Sequence, residues 1–253
     1  MNLPGSDLFF PLRPLAGVLE EWPDCEMLSA LAFERSILNE KGLPIKFVDD
    51  RGVDYEKRIY LEGEVQTRGH SWHDLFNALV WMSFPRAKSR LNAVHFSEML
   101  VQKGSNRTNK RDIATLFDES GVIVASSSHV LSDMIRKFEW KKLFWENREA
   151  VKSGMRFYVF GHGLYEKGLS PFPGLTGNGL IFHVEKNFFD LPLEKQLIGL
   201  DEMFESHYSG IERTRDLSPV PILGYPAWTI ENELEAYFDN ERYFRKGRSG
   251  GAQ

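Results

Sequence analysis

The sequence predicts an α+β fold, mainly helical, in a single domain. Apolar residues recur with helical spacing along much of the chain, most clearly over residues 72–80. The apolar runs with strand character are short and do not alternate with helices in βαβ fashion, which argues against a doubly wound sheet. No linker or internal repeat divides the 253 residues, a length that buries one substantial core. We therefore predict one globular domain over 1–245 and a disordered tail over 246–253.

The N-terminal elements are expected to be short. Gly42 and Gly63 follow two of the predicted helices, at the position where a helix commonly ends in a left-handed residue. The predicted elements are helices over 15–22, 25–40 and 54–62 and a strand over 44–48.

The clearest helix begins after Ser71. Serine is a good N-cap, and Asp74 three residues later approximates a capping box. Pro85 ends this helix and starts another, roughly over 86–101. The core-facing stripe of the first helix consists of Trp72, Leu75, Phe76, Leu79 and Val80.

A β-hairpin is predicted near 114–125. Two apolar runs, 114–117 and 122–125, are joined by Asp118-Glu-Ser-Gly121, which is typical of a turn. Further along, we predict a strand over 180–185 and a helix over 193–205. Three prolines require an extended chain over 218–226.

Composition narrows the class of protein. The chain is 42% hydrophobic and 13% aromatic, which favours a packed interior, and its net charge of −5 argues against bulk attraction to nucleic acid or anionic lipid. The single cysteine, Cys25, excludes an intrachain disulfide and a cysteine-based zinc site, and it fits a reducing compartment. Neither a signal peptide nor a membrane-spanning run is visible, so we expect a cytoplasmic protein with no membrane partner.

The charge is unevenly distributed. Residues 86–111 contain seven Lys or Arg residues and one acid, Glu98, for a local net charge of +6. Such a field attracts anionic ligands, and Arg86, Lys88 and Arg111 are the candidate anion-binding residues. The alternative is a solvated helix face followed by a loop.

Two histidine-containing motifs are the main candidates for chemistry. His73 lies in the first turn of the helix after Ser71, where the helix dipole favours the neutral imidazole of a metal ligand or an electrophile. His162 and Glu166 are four residues apart, so in a helix they share a face and could bind one metal, or the carboxylate could orient the histidine as a general base. Gly161 and Gly163 weaken that helix and indicate a close approach of the backbone by a ligand or another segment.

A third candidate is Asp112, which opens an apolar run beside Arg111. It could be a further catalytic residue or metal ligand, or simply the partner of that arginine. For Asp118 and Glu119 we favour turn chemistry over a role as ligands of a hard cation. His95, His129, His183 and His207 are interpreted as structural.

Several segments resemble a known family in their joint order. They are Lys41-Gly-Leu-Pro-Ile-Lys-Phe-Val48, Thr67-Arg-x-x-x-Trp-His-Asp-Leu-Phe-Asn-Ala-Leu-Val-Trp81, Phe84-Pro-Arg-x-Lys88 with Leu91-Asn92, Arg111-Asp-x-x-Thr-Leu-Phe-Asp-Glu119, Phe160-Gly-His-x-Leu-x-Glu-Lys167, Pro219-x-Pro-Ile-Leu-Gly224 and Phe238-Asp-x-x-x-x-Phe-Arg245. Together they resemble a proteobacterial family of soluble proteins known only as a domain of unknown function. The resemblance implies a bacterial cytosolic protein with a single domain, and it transfers no catalytic residue. Gly163-Leu-Tyr departs from the expected Ala-Leu-Leu, which loosens the helix needed for a shared His162–Glu166 face.

Two functions follow from these patterns. The first is a hydrolase acting on an anionic, phosphate-bearing substrate, with a divalent metal as cofactor. In it His73, His162 and Glu166 bind the metal or act as acid and base, Asp112 assists, and Arg86, Lys88 and Arg111 hold the anion. The second is a non-catalytic protein that binds a small anionic ligand, RNA or a protein partner; nucleic acid is disfavoured if Trp72 and Trp81 are buried. A third possibility is that the polar groups form a buried structural network and that the function lies elsewhere.

Overall fold

A computed structural model describes residues 5–16, 21–50, 52, 54–101, 108–208, 211 and 213–247. Helices dominate and surround two small sheets, so the predicted α+β class is confirmed. The α-helices of this part of the chain are α1 Arg13–Ala16, α2 Cys25–Glu34, α3 Tyr55–Glu62, α4 Trp72–Ser83, α5 Pro85–Val101, α6 Asn109–Ser120, α7 His129–Arg136, α8 Arg148–Gly154, α9 His162–Gly168 and α10 Leu193–His207. A short π-helix, Lys142–Glu146, precedes α8.

The strands form a parallel pair and a mixed sheet. In the first, β1 pairs with β2; in the second, the order is β4-β3-β5-β6, with β3 and β5 parallel and the outer pairs antiparallel. Every residue of β3 is buried, which places this strand at the centre of the core. The strands are β1 Lys46–Val48, β2 Glu64–Gln66, β3 Gly121–Ser126, β4 Met155–Val159, β5 Thr176–His183 and β6 Ser218–Pro221.

The hairpin predicted near 114–125 is wrong. The first of its two strands is the second half of α6, which begins after Thr108, whose side chain accepts a hydrogen bond from the backbone N–H of Arg111. Ile113, Ala114 and Phe117 are buried with helical spacing, whereas a strand would bury alternate residues. Asp118-Glu-Ser-Gly121 is therefore the end of a helix leading directly into β3.

The helix predicted after Ser71 is confirmed as α4, with the Ser71 hydroxyl oxygen accepting from the N–H of Asp74. Helix α5 begins at Pro85 as predicted. Its free N–H groups are satisfied from α10, because the Asp201 carboxylate accepts from the N–H groups of Arg86 and Ala87. Helix α2 ends at Glu34 rather than near residue 40, because Leu38 and Pro44 form a β-bridge closed by Gly42 in the left-handed region.

Most of the predicted tail cannot be compared with the prediction, since 248–253 lie outside the described residues. Lys246, at its start, pairs with Glu241 on the surface. No helix in the described part of the chain combines the length and the apolar composition needed to cross a membrane.

Candidate functional site

A polar pocket of about 370 Å³ lies among α3, α4, α5, α6 and α9. Its lining is dominated by titratable side chains, both histidines and carboxylates, rather than by the apolar groups usual in a small-molecule pocket. The lining includes Tyr55, Glu56, Arg68, His73, Asp74, Asn77, His95, Asp118, Glu119 and His162.

Sheet pairing brings two of these residues together. Val122, at the start of β3, pairs with Val159, at the end of β4, and the N–H groups of Phe160 and Gly161 both donate to the carbonyl of Gly121. The end of α6 and the start of α9 therefore meet at one edge of the sheet. Because Glu119 is in the last turn of α6 and His162 opens α9, the two side chains become neighbours.

Two glycines allow this close approach. A Cβ atom on Gly161 would lie 2.4 Å from the backbone nitrogen of Ser120, and one on Gly163 would lie 2.9 Å from the backbone carbonyl oxygen of Glu119. Both distances are too short for any larger residue without displacement of α6. The predicted close approach at these glycines is thus by another segment of the same chain.

Helix α4 brings a third side chain, His73, to Glu119 and His162. It packs on α9 through the stacked rings of Phe76 and Tyr165, whose centroids are 5.5 Å apart. This packing places His73, near the start of α4, against both His162 and Glu166 of α9.

Three ligand atoms converge at this point. The Nε2 atoms of His73 and His162 are 3.0 Å apart, and Oε1 of Glu119 is 3.5 Å from Nε2 of His162 and 3.9 Å from Nε2 of His73. Tetrahedral ligands at zinc bond lengths are separated by about 3.3 Å, which lies within this range. Within the part of the chain that the structure describes, this is the one such cluster of three His, Cys, Asp or Glu residues.

Glu166 contacts His73 on the other ring nitrogen. Its Oε2 lies 2.9 Å from Nδ1 of His73, and the N–H donated there leaves a lone pair on Nε2, facing His162. The predicted metal-ligand set of His73, His162 and Glu166 therefore differs from the observed cluster in its carboxylate. The two histidines meet through Nε2, Glu119 is the carboxylate beside them, and Glu166 orients His73.

The buried Lys88 and the partly buried Asp118 form an ion pair behind the cluster. The Lys88 ammonium lies 2.5 Å from Oδ1 of Asp118 and 2.7 Å from the amide oxygen of Asn77, and the lysine is almost fully buried. Asp118 also faces Nδ1 of His162 at 3.8 Å, and that nitrogen is buried without a hydrogen-bond partner among the described residues. Lys88, predicted to hold an anionic ligand, thus binds an internal carboxylate.

The carboxyl groups of the cluster favour the ionised form. The contact with His162 lowers the pKa of Glu119. Burial would raise the pKa of Asp118, but the nearby Lys88 ammonium and His162 outweigh burial and hold that pKa below its ordinary value. Ionised carboxylates beside two imidazoles are the ligands expected of a divalent cation.

The other predicted residues lie apart from the cluster. Asp112 is exposed in the first turn of α6 and does not line the pocket. Arg86 pairs with Glu202 and Glu205 of α10. Arg111 lies near enough to Glu56 to lower the pKa of that carboxyl.

The basic run over 86–111 is therefore largely neutralised. Besides Arg86 and Lys88, Arg90 lies 3.9 Å from Glu40 and Lys110 lies 3.8 Å from Glu98; Lys103 and Arg107 are outside the described residues. Of the described residues, Arg68 is the one lysine or arginine lining the pocket, and its guanidinium forms a bidentate pair with Asp74 at 2.7 and 2.8 Å.

The two tryptophans that could have stacked on bases are engaged in packing. Trp81 is buried, and Trp72 lies between Trp22 and Phe76, with ring centroids 5.0 and 5.4 Å away. Trp81 is inaccessible and Trp72 is partly buried with one face stacked on Phe76, which weakens the nucleic-acid alternative.

Comparison with known proteins gives a family. The chain matches DUF3025, described as a protein of unknown function, over residues 45–248, and these include every residue of the His73–Glu119–His162 cluster. The chain belongs to the DUF3025 family. No curated protein and no solved structure matches it. Family membership confirms the predicted resemblance to a domain of unknown function and assigns no role to any residue of the pocket.

Sequence reasoning missed Glu119, Asp118, Glu56, Arg68 and His95 as pocket residues. Asp118 and Glu119 were missed because the wrongly predicted hairpin placed them in a solvated turn. Helical spacing would have placed them at the end of a helix. Arg68 lies in one of the segments that carry the family resemblance, but nothing in that segment indicates a role for it, and Glu56 and His95 lie in none of those segments. Only packing brings these three residues to the pocket.

Proposed function

We propose that this protein is a divalent-metal-dependent hydrolase that acts on an anionic, phosphate-bearing substrate. We further propose that it works in the cytoplasm, where a single free cysteine such as Cys25 stays reduced. The observation that carries the proposal is the convergence of Nε2 of His73, Nε2 of His162 and Oε1 of Glu119 from three different helices.

The ligand set favours a catalytic metal over a structural one. Structural zinc sites are closed by four protein ligands, whereas two histidines and one carboxylate leave a position open for water or substrate. The cluster also borders a pocket large enough for a small ligand. A divalent ion held there would supply Lewis-acid chemistry and an activated water.

The surrounding residues prepare the ligands for that role. Glu166 fixes the tautomer of His73, as carboxylates beside metal-binding histidines commonly do. The Lys88–Asp118 pair presents a carboxylate to the far side of the His162 ring. The hydrogen-bonded carboxylate orients the His73 ring and increases its basicity, whereas Asp118 places a negative charge 3.8 Å from Nδ1 of His162.

An anionic substrate would depend on the metal for its binding. The pocket lining includes Glu56, Asp74, Asp118 and Glu119, and Arg68 is already paired with Asp74. Without a cation this lining repels an anion. With a divalent ion in place, a phosphate could contact the metal and the exposed edge of the Arg68 guanidinium, the one lysine or arginine among the described lining residues.

The experiment is elemental analysis of the purified protein, followed by titration of metal-free protein with Zn²⁺, Mn²⁺ and Fe²⁺. We expect near-stoichiometric binding of one of these ions by the wild type and its loss in His73→Ala, His162→Ala and Glu119→Gln. His207→Ala, which alters a histidine outside the pocket, is the control. The ion-loaded wild type is then assayed for phosphate release from phosphate monoesters.

Two results would contradict the proposal. One is a wild-type protein that contains no metal and binds none of the three ions. The other is a metal-loaded protein without hydrolytic activity on phosphate esters, a result that would favour the non-catalytic binding alternative.

A further inference from the structure

The pocket contains a second titratable group that the metal cluster does not use. Glu56, in the first turn of α3, lines the same pocket as His73, Glu119 and His162. About 25% of its side chain is exposed. It therefore combines access to the pocket with substantial burial.

The carboxyl of Glu56 is held in position by α5. One oxygen, Oε2, accepts a hydrogen bond of 2.7 Å from the amide nitrogen of Asn92, which also donates to the backbone carbonyl of Glu56. The other, Oε1, lies 4.0 Å from Nε2 of His95. The amide of Asn92 and the imidazole of His95 therefore both face the Glu56 carboxyl from α5.

This environment favours the protonated form of Glu56. Burial raises the pKa of Glu56 to about 7; the Asn92 hydrogen bond opposes burial, Asp118 reinforces it, and the positive charges of Lys88 and Arg111 lower the value. A carboxyl that lines the pocket, is fixed by a hydrogen bond and keeps its proton near neutral pH is suited to general acid catalysis.

We propose that Glu56 is the proton donor of this site and that the substrates are phosphate monoesters of aliphatic alcohols. The inference rests on the proposed function. An alkoxide is a poor leaving group, so a site that cleaves such esters benefits from an acid positioned beside the departing oxygen. A site specialised for esters with good leaving groups would have no use for a protonated carboxyl in the same pocket.

The proton balance of the step is complete. Water adds its oxygen to phosphorus, and the bond between phosphorus and the ester oxygen breaks with its electron pair on that oxygen. The departing oxygen takes the proton of Glu56 and leaves as the alcohol. A proton released by the attacking water returns to the Glu56 carboxylate through solvent, so each turnover converts ester and water into alcohol and phosphate.

The test compares two esters that differ in their need for an acid. Metal-loaded wild type and Glu56→Gln are assayed with 4-nitrophenyl phosphate, whose leaving group departs without protonation, and with methyl phosphate, whose leaving group requires it. General acid catalysis contributes on the order of 10²- to 10⁴-fold. We expect Glu56→Gln to lose activity in that range on methyl phosphate and to keep its rate on 4-nitrophenyl phosphate within about threefold. Glu62→Gln, at the far end of the same helix, is the matched control and should behave as wild type.

Two further measurements keep the outcomes distinct. Metal content and thermal unfolding are compared with wild type, so that a folding or ligand defect is recognised. Difference infrared spectroscopy then follows the carboxyl absorbance from about pH 5 to pH 9; a group titrating near neutral pH in wild type and absent from Glu56→Gln is the expected result.

Equal losses on both esters, or a Glu56 already ionised at pH 5, would overturn the proton-donor role while leaving the metal hydrolase intact. Hydrolysis of neither ester by the metal-loaded wild type would overturn the proposed function and this inference together.

Discussion

Nδ1 of His73 lies 2.9 Å from Oε2 of Glu166, a residue 93 positions further along the chain. The contact joins the first turn of α4 to α9 and directs the other nitrogen of the ring towards His162 and Glu119. A histidine held in this way adopts the tautomer needed for the proposed metal site before any metal binds. The entropy of ordering the His73 ring is therefore lost during folding and not during metal binding.

Glu166→Gln is expected to weaken metal binding without abolishing it. The amide can still contact His73, but it no longer carries the negative charge that raises the basicity of the ring. Loss of such a partner typically reduces metal affinity by about 10- to 100-fold. Calorimetric titration of metal-free protein measures the change, with the exposed Glu194→Gln as control. Unchanged affinity would mean that Glu166 does not support the ligand set.

Gly161→Ala is expected to destabilise the fold and disturb the cluster. The new methyl group would meet the backbone of Ser120 at 2.4 Å, which forces α6 and α9 apart. Overpacking of this kind costs about 1–3 kcal/mol. Urea denaturation and metal titration should both reveal the change.

Gly199→Ala, within α10, provides the comparison, because the nearest neighbour of the new methyl group would be the Phe188 ring at an ordinary distance of 3.6 Å. Stability there should be unchanged or slightly increased, since alanine favours helix over glycine. Equal free energies of unfolding for Gly161→Ala and Gly199→Ala would contradict the close approach at Gly161.

Lys88→Met is expected to be strongly destabilising. It leaves the Asp118 carboxylate without the ammonium 2.5 Å away, in a largely buried setting. Breaking a buried pair by removing one partner costs about 3–5 kcal/mol. The double variant Lys88→Met with Asp118→Asn removes both charges and should recover part of the loss. A double-mutant cycle by urea denaturation measures the coupling, and additive effects would argue against a direct interaction.

Asp201 should make the protein less stable as the pH rises from about 4 to about 7. Burial raises the pKa of this carboxyl to about 7 from an ordinary 3.8, although the N–H groups of Ala87 and Arg86 lower it. Between those values the folded protein retains a proton that the unfolded chain has lost. Each pH unit therefore lowers the free energy of unfolding by up to about 1.4 kcal/mol.

Asp201→Asn is expected to flatten this dependence, since asparagine does not titrate. Denaturation curves at pH 5 and pH 8 give the difference for wild type and variant, with the exposed Asp190→Asn as control. A variant that keeps the full wild-type difference would show that another group is responsible.

Local signals in the sequence determined the elements that depend on near neighbours. Ser71, Asp74 and the apolar stripe after them specify where α4 begins and which face is buried, because caps and helical periodicity act within a few residues. Pro85 and Gly63 mark a helix start and a helix end for the same reason. These features allowed the α+β class and the candidates His73 and His162 to be predicted.

The arrangement of the site was decided by the tertiary structure. Nothing near Glu119 indicates that β3 pairs with β4, yet that pairing carries the end of α6 to the start of α9. Spacing alone put Glu166 and His162 on one helix face, but in the structure Glu166 contacts His73, and Glu119 is the carboxylate beside the two histidines in the ligand set that we propose. Helix capping is encoded by residues in contact along the chain, whereas a ligand set depends on where distant segments pack.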